Sequence, residues 1–216
     1  MSDPRVPTVR DGDLALTGPT LRLRIPRVSD APALYRAASD PEVTRWFSWG
    51  PYASEDEALA YLEHLPDERA RGVQLDLVVE HLARGQAIGI TGFSEIARRD
   101  RRATIGTWLG REWWGTGAND EAKALMCRLG FDMLGLERIG SYANVEHLRS
   151  QRALEKLGFE REGVLRAFHR HGMQTLDVVV FALLRPAWER SALFDTPFEA
   201  GGAPPPGFVS HLQRDN

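Results

Sequence analysis

A short turn, Gly115-Thr116-Gly117, stands in this chain of 216 residues where a strand-like run meets a helix-like run. The run before it, 103–109, is rich in β-branched and aromatic residues, as strands are. The run after it repeats apolar residues at helical spacing from Ala118 onwards. The glycines free the backbone, and the unpaired N–H groups and positive end of the following helix attract anions. The pattern therefore predicts a site for a phosphate-bearing ligand.

Two other phosphate-binding patterns do not fit this turn. A Walker loop needs a lysine and then a serine or threonine after its last glycine, whereas Gly117 is followed by Ala118 and Asn119. A dinucleotide fingerprint needs three spaced glycines after the first strand of a βαβ unit. Here only two glycines lie in the turn, and the turn lies far along the chain. What remains is a short turn that opens a helix, without either nucleotide signature.

Two stretches of the sequence resemble the GNAT superfamily of acyl-CoA-dependent N-acyltransferases. IGTWLGREWWGTGANDEAK (105–123) is similar to the strand, pyrophosphate loop and helix of its Rim-type branch, which includes the ribosomal-protein amino-terminal acetyltransferases. SQRALEKLGFEREGVLR (150–166) is similar to the helix and strand that follow in that branch. The resemblance extends over about residues 17–188. It implies transfer of an acetyl or other short acyl group from acyl-CoA to an amine, by direct attack in a ternary complex.

The resemblance also implies which residues hold acetyl-CoA. The turn would bind the diphosphate, and the strand that ends at Trp108-Leu109 would pair with the pantetheine arm. His147 replaces an asparagine that contacts the coenzyme in relatives, and a histidine there would titrate near neutral pH. Of Trp113 and Trp114, at least one is expected to be a core aromatic residue. Coenzyme contacts are expected at Trp108, Leu109, Trp114, Gly115, Thr116, Gly117, Ala118, Asn119, Asn144, His147 and Ser150.

The implied reaction needs a proton donor for the leaving thiolate and a route for the proton of the amine. Ser150 matches the Rim-type serine near the coenzyme sulfur. Leu154 stands where many relatives have a tyrosine that acts as the general acid. Tyr142 and Thr104 stand where relatives often carry a glutamate or another acidic residue. Ser150 and Tyr142 are therefore our catalytic candidates. The general base stays open, with alternatives at Glu95, Asp177, His169 and His171.

Acceptor specificity is expected from the aromatic loop at 44–53 and from the turn near 168–175. Trp46, Phe47 and Trp49 would form a groove wall for the acceptor, or simply the lid of the core. Because the usual glutamate is missing, we expect preference for the α-amine of a peptide or protein, or for another amine of low pKa. The alternatives are a small-molecule acetyltransferase in resistance or biosynthesis, and a module that binds acyl-CoA without catalysis.

The elements that must position these residues follow from their periodicity. Their order predicts a mixed α/β (α+β) sheet rather than a regular doubly wound one. The resemblance adds a GNAT-like fold of about seven strands and four helices, with a V-shaped splay between strands 4 and 5. Strands are expected at 20–25, 74–80, 87–93, 103–109, 138–143, 159–168 and 176–184, and helices at 29–38, 54–65, 118–133 and 145–157.

The expected domain organisation is a flexible N-terminal arm at 1–16, an acyltransferase domain at 17–190, and a flexible or surface-draped tail at 191–216. The tail contains GGAPPPG at 201–207 and has no apolar periodicity. The length allows one domain with a substantial core. Such a domain is expected to act as a monomer or a homodimer.

The composition of the chain limits which kinds of partner are expected. A net charge of −3 gives no global basic field, which disfavours nucleic acid as the main ligand. The polar N-terminus has no apolar signal segment, and no apolar run approaches membrane-spanning length, so we expect a cytoplasmic protein without a membrane partner. The single cysteine, Cys127, excludes a disulfide framework and a multi-cysteine metal site, and no metal is expected. Cys127 itself is expected to be buried packing rather than a nucleophile.

Overall fold

A mixed sheet of nine strands runs through the computed structural model, which describes residues 13–210. The strands are β1 (Ala15–Thr17), β2 (Leu21–Arg24), β3 (Leu75–His81), β4 (Gln86–Ala97), β5 (Arg102–Leu109), β6 (Arg138–Asn144), β7 (Glu160–His171), β8 (Gln174–Leu184) and β9 (Glu199–Gly201). The α-helices are α1 (Ala31–Ala38), α2 (Pro41–Thr44), α3 (Glu55–Ala70), α4 (Ala118–Cys127), α5 (Leu148–Lys156) and α6 (Arg185–Trp188). Among the described residues, none of these helices combines the length and the apolar character that crossing a bilayer requires.

The strands lie in the order β7-β8-β6-β5-β4-β3-β2-β1-β9. Neighbouring strands are antiparallel except for β5 and β6, which are parallel. This confirms the expected mixed sheet. The described residues hold two more strands and two more α-helices than expected, because β1, β9, α2 and α6 are only three or four residues long. Elements so short contain too few residues for a period to be recognised.

Two hydrophobic cores hold helices against opposite faces of the sheet. On one face, α4 and α5 contribute Leu125 and Leu154 to the larger core, which also contains Phe181 of β8. On the other face, α1 and α3 contribute Leu34 and Leu62 to the smaller core. Burying a side chain of this size stabilises the fold by about 1.5–3 kcal/mol. Burial therefore fixes α4 and α5 on one face of the sheet and α1 and α3 on the other.

The parallel strands β5 and β6 pair over only three residue pairs and then separate. The last of these pairs joins Thr104 to Gly140. Just beyond it, the Ser141 hydroxyl donates a hydrogen bond to the Ile105 carbonyl at 3.1 Å. From there β6 follows β8 along its whole length, whereas β5 follows β4. The gap between 106–109 and 142–144 confirms the predicted V-shaped splay.

The N-terminal strand differs from the expected flexible arm. Residues 1–12 lie outside the described residues, but Leu14 and Leu16 are 2% and 0% exposed. Strand β1 pairs with β2 on one side and with β9 on the other. The expectation of a loose arm is therefore wrong for residues 14–16, because their apolar side chains belong to the core.

The C-terminal segment also differs from a flexible or surface-draped tail. Phe208 is fully buried, and the Ser210 N–H donates to the Leu134 carbonyl at 2.9 Å. The Arg128 guanidinium lies 4.0 Å from the centre of the Phe194 ring. Residues 191–210 are therefore part of the fold, while 211–216 lie outside the described residues. The segment packs through isolated aromatic residues, which leave no periodic pattern in the sequence.

Phe208→Ala tests whether this segment is part of the core. Removing a buried phenylalanine side chain costs about 3–5 kcal/mol, so we expect urea unfolding to show a loss of that order. The control is Met173→Ala. The Met173 side chain is 90% exposed, so this substitution should change the free energy of unfolding by less than about 0.5 kcal/mol. Equal stability of the two variants would contradict a packed segment.

Candidate active site

The separation of β5 and β6 opens a cleft of about 420 Å³. Residues of β5 and β6 line its sides, and residues of α4 and α5 line the face that carries the larger core. The cleft therefore collects residues that are far apart in the chain. Most of the predicted site residues line it, namely Trp46, Phe47, Trp108, Leu109, Trp114, Gly115, Gly117, Asn119, Tyr142, Asn144, His147 and Ser150.

The glycine turn is open at the start of α4. Gly115 and Gly117 have φ angles of 76° and 93°, a region that side-chain-bearing residues rarely adopt. Apart from the glycine itself and its two chain neighbours, no atom lies within 4 Å of the position that a Cβ would take at either glycine. Helix α4 begins at the next residue, Ala118. The positive helix end therefore faces open space, where a diphosphate can approach the backbone.

Thr116 and Ala118 shape the turn but do not line the cleft. The Thr116 hydroxyl donates to the Trp113 carbonyl at 2.9 Å, and it accepts from the Ala118 N–H at 3.4 Å. Ala118 is buried in the larger core. The Thr116 side chain therefore maintains the loop conformation, and the Ala118 methyl group is part of the core.

The two neighbouring tryptophans have different surroundings. Trp113 is 7% exposed and packs on His81, with 4.6 Å between the ring centres, so it is the expected core aromatic residue. Trp114 lines the cleft, and its indole N–H donates to the Leu109 carbonyl at 2.9 Å. The Arg149 guanidinium lies 3.5 Å from the centre of the Trp114 ring, a cation–π arrangement. The Trp114 ring therefore holds the Arg149 guanidinium at the edge of the cleft.

Asn144 and His147 flank the turn into α5. The amide oxygen of Asn144 accepts a backbone N–H two residues further on at 2.8 Å, which uses it to shape the turn. His147 stacks on Trp46 with 5.3 Å between ring centres. Burial, assisted by two nearby arginines, lowers the pKa of His147 to about 4. The expectation that it titrates near neutral pH is therefore wrong, and its imidazole is neutral at pH 7.

Helix α5 presents Ser150 to the cleft between apolar neighbours. Ser150 is half-buried, and Ala153 and Leu154 of the next turn also line the cleft. Leu154 stands at the position where many relatives have a tyrosine. It is 2% exposed and supplies only apolar surface. The Ser150 hydroxyl can therefore donate a hydrogen bond to a ligand atom in the cleft, beside apolar side chains.

Tyr142 reaches a carboxylate that belongs to another strand. The Tyr142 and Thr104 hydroxyls both donate to the same oxygen of Glu95, each at 2.8 Å. Glu95 lies at a bulge near the end of β4 with a φ of 49°, a conformation that a non-glycine residue rarely adopts. Burial, then the bond to Glu95, raises the pKa of Tyr142 above its usual value of 10. Tyr142 is therefore a neutral phenol bonded to a carboxylate.

The other base candidates have different partners. Asp177 accepts the Ala167 N–H at 2.7 Å, within the irregular β7–β8 pairing. The Nδ1 atom of His171 lies 2.5 Å from the Phe47 carbonyl oxygen. His169 lines the cleft, with its ring centre 6.1 Å from that of Tyr142. Glu95 and His169 are therefore the candidates beside Tyr142, whereas Asp177 and His171 make contacts that shape the backbone.

The aromatic loop divides into a wall and a support. Trp46 and Phe47 line the cleft, but Trp49 does not. Trp49 packs on Phe47 and Tyr52 at 5.3 Å and on Trp108 at 5.5 Å between ring centres. Trp49 is therefore packing behind the wall, and it fixes the position of Trp108.

A model of the acetyltransferase (GNAT) domain matches residues 20–160, more than half of the chain. The chain belongs to the GNAT acetyltransferase family. As a GNAT protein it is an enzyme, an N-acetyltransferase that uses acetyl-CoA. The family match contains the glycine turn, the strands that separate and the helix that carries Ser150.

Relatives of this GNAT protein cover most of its length. It is 32% identical over 167 residues to "Uncharacterized N-acetyltransferase p20" of Bacillus licheniformis, covering 76% of this chain and 93% of that protein. It is 27% identical over 177 residues to "Putative ribosomal N-acetyltransferase YdaF" of Bacillus subtilis, covering 79% and 93%. A solved structure described as a "putative acetyltransferase", from T. thermophilus, is 32% identical, with a TM-score of 0.71 and coverage of 82% and 92%. These matches agree with the fold observed here.

Sequence reasoning missed Lys123, which lines the cleft from α4. Lys123 is 6% exposed, and its ammonium nitrogen lies 3.1 Å from the Thr107 hydroxyl. Burial lowers its pKa to about 8. The same strip of the helix carries Cys127, which is 2% exposed and whose pKa burial raises to about 12, so its expected role in packing fits its surroundings. The available signal was the i, i+4, i+8 strip of Asn119, Lys123 and Cys127 beside the apolar stripe.

Gly117→Val tests the diphosphate site. A valine disfavours a φ of 93° and fills the space in front of the helix end, so we expect acetyl-CoA affinity to fall at least about tenfold, or 1.4 kcal/mol. Gly85→Val is the matched control, because Gly85 also has a positive φ and open surroundings but lies in the β3–β4 turn. Calorimetry on the two folded variants measures the difference. Equal acetyl-CoA affinity in both would remove the loop from the binding site.

Proposed function

We propose that this N-acetyltransferase acts on amines of low pKa, namely the α-amine of a peptide or protein, or a small amine of similar pKa. The observation that carries the proposal is the Tyr142 phenol in the cleft, bonded to Glu95. Its raised pKa keeps it protonated at neutral pH, so it is not a base that could deprotonate a free ammonium group before attack. After attack the nitrogen is far more acidic, and only then can Tyr142 take its proton while passing its own to Glu95. An acceptor that is already partly neutral is therefore favoured.

Acetyl-CoA would lie along the whole cleft. Its diphosphate would rest on the backbone at 115–119, where α4 begins, and its pantetheine arm would follow β5 at Trp108-Leu109. The sulfur would then reach Ser150, with Asn144 and His147 beside it. One continuous cavity lined by these groups supports this placement. The Trp114 ring and the Arg149 guanidinium would cover the arm at the edge of the cleft.

The acetyl group would pass directly from sulfur to nitrogen. The neutral amine attacks the thioester carbonyl carbon, the carbon–nitrogen bond forms, and the carbon–sulfur bond breaks with its electron pair on sulfur. The Ser150 hydroxyl donates a hydrogen bond to the sulfur as charge develops there. The new ammonium group loses its proton to the Tyr142 oxygen while the Tyr142 proton passes to Glu95. Glu95 is thus the final proton acceptor, and the predicted catalytic residue Tyr142 relays the proton to it.

The pKa of the acceptor decides how much of it can react. An α-amine with a pKa of about 7.7–8.0 is neutral in about a tenth of molecules at pH 7, and a lysine side chain with a pKa of about 10.4 in fewer than about one per thousand. The relay accepts a proton only after attack, so it cannot correct this difference. A relative named as a ribosomal N-acetyltransferase and the Rim-type resemblance agree with a peptide or protein α-amine.

A small amine of low pKa is the second candidate. The apolar wall of Trp46 and Phe47 suits a compact apolar acceptor, and the contact between His171 and the Phe47 carbonyl ties this wall to β7. A tied wall limits the space beside the thioester. An acceptor panel that includes both peptides and small amines separates the two candidates.

Two matched peptides test the acceptor class. One has a free N-terminus and no lysine, and the other has a blocked N-terminus and one lysine. From neutral fractions alone, we expect kcat/KM at pH 7 to favour the α-amine by about two orders of magnitude. Log(kcat/KM) should rise with pH and level off near the pKa of each acceptor. Equal rates, or one levelling pH for every acceptor, would show a base that fixes the profile.

Tyr142→Phe separates the relay from the acceptor. We expect it to lower the plateau of kcat/KM by about a hundredfold, a usual size for lost proton transfer, while the levelling pH stays at the acceptor pKa. Thr104→Val is the control, because it removes the other hydrogen bond to Glu95 but keeps the phenol in place. Loss of the same size in both variants would mean that the cluster only supports the local structure.

Ser150→Ala tests the hydrogen bond to sulfur. That bond strengthens as the sulfur gains charge, so we expect kcat to fall more than KM for acetyl-CoA rises. Ser150→Thr keeps a hydroxyl and should recover most of the lost kcat. Steady-state kinetics with the α-amine peptide measures both. A rise in KM alone would make Ser150 a residue that only holds the coenzyme.

A further inference from the structure

Lys123 is a buried cation that the mechanism above does not use. It lies about 9 Å along α4 from Gly117, from the rise of 1.5 Å per residue, and so lies deeper than the diphosphate loop. Its nitrogen is bonded to Thr107 in the middle of β5 rather than to the loop. Ser150 lines the same cleft from α5. Lys123 therefore lines the same cleft as Ser150, deeper along α4 than the diphosphate loop.

A chain of hydrogen bonds fixes the direction in which Lys123 donates. The Thr91 hydroxyl donates to the Gly106 carbonyl at 3.1 Å, which uses its only proton. The Thr107 hydroxyl must then donate to the Thr91 oxygen, 2.7 Å away. Its own oxygen is left to accept from Lys123 at 3.1 Å. An ammonium group has three donors, so this chain occupies one and leaves two for a ligand.

The charges around Lys123 do not neutralise it within the described residues. Asp120, one turn earlier, is paired with Lys156 at 2.6 Å, and Cys127, one turn later, is a thiol with a raised pKa. A buried charge without a close partner is costly, and burial lowers the pKa of Lys123 to about 8. The remaining titratable groups that line the cleft are Tyr142, His147, Arg149 and His169.

We propose that Lys123 contacts the sulfur of coenzyme A and supplies the proton that turns the leaving thiolate into a thiol. This proposal rests on the proposed placement of acetyl-CoA in the cleft. Ser150 then orients the sulfur through a neutral hydrogen bond, and Lys123 supplies the positive charge. Lys123 is on this account a catalytic residue, the acid that the missing tyrosine at Leu154 would have provided.

The step balances without any further reagent. When the carbon–sulfur bond breaks, its electron pair moves to sulfur, and the Lys123 ammonium gives one proton to that sulfur. Lys123 becomes a neutral amine and regains a proton from water after the thiol leaves. The proton of the acceptor amine leaves separately through Tyr142 and Glu95. A free thiol has a pKa of about 8.5, and the nearby ammonium lowers the pKa of the bound thiol toward or below that of Lys123, so the transfer costs little free energy.

The ionisation of enzyme-bound coenzyme A tests this contact directly. Ultraviolet difference absorbance reports the thiolate, and a titration of the complex gives the pKa of the bound thiol. In the wild type, we expect this pKa to lie at least about one unit below 8.5, because the ammonium stabilises the thiolate. In Lys123→Met, it should lie at or above 8.5, because burial alone disfavours the thiolate. Arg152→Met removes an exposed cation of α5 as the matched control and should behave as the wild type.

Lys123→Arg separates charge from proton transfer. Arginine keeps its proton under all conditions, so the thiol pKa should stay low while kcat falls at least about tenfold. An equal thiol pKa in the wild type and Lys123→Met would overturn the proposal and leave the proposed function intact. Acetylated Lys123, found by mass spectrometry after incubation with acetyl-CoA alone, would make it an acceptor and also overturn the proposal. Failure of the wild type to bind coenzyme A would contradict the proposed function itself.

Discussion

The early separation of β5 and β6 is the constraint on which the rest of the site depends. Two parallel strands normally continue their ladder, but here three residue pairs are followed by the Ser141 side chain, which bonds to the β5 carbonyl of Ile105. Backbone groups at 106–109 are thereby left facing a gap. A pantetheine arm carries amide groups that match such an edge. The larger core keeps the gap open, because closing it would disturb the packing of α4 and α5.

The cleft also changes the pKa values of the titratable side chains that line it. Burial shifts the pKa values of groups that line it: His147 is neutral at pH 7, Tyr142 keeps its proton, and Lys123, with a pKa of about 8, is mostly protonated. On the proposed placement of acetyl-CoA, proton transfers would be confined to these few positions, and the α4 end would hold the permanent charge of the diphosphate.

Local features of the site could be predicted from the sequence, whereas contacts between distant segments could not. The glycine turn, α4 and α5 depend on neighbouring residues, so their positions followed from periodicity, and the resemblance added the splay. Glu95 bonds to a residue 47 positions away and sits in a bulge that no pattern marks. Lys123 was missed because a single lysine beside an apolar stripe usually points to solvent. The pairing of β1 with β9 and the burial of Phe208 join the two ends of the described chain in the same unpredictable way.

A crystal structure of the complex with acetyl-CoA would show whether the coenzyme binds where β5 and β6 separate. We expect the diphosphate on the backbone of 115–119, the pantetheine arm between β5 and β6, and the sulfur in contact with Ser150 and Lys123. The Tyr142 hydroxyl should face the thioester from the opposite side while keeping its bond to Glu95. Coenzyme bound elsewhere, for example in the open groove lined by Val73, Ile96 and Arg102, would contradict the account. So would a complex in which β5 and β6 close the gap and continue their ladder.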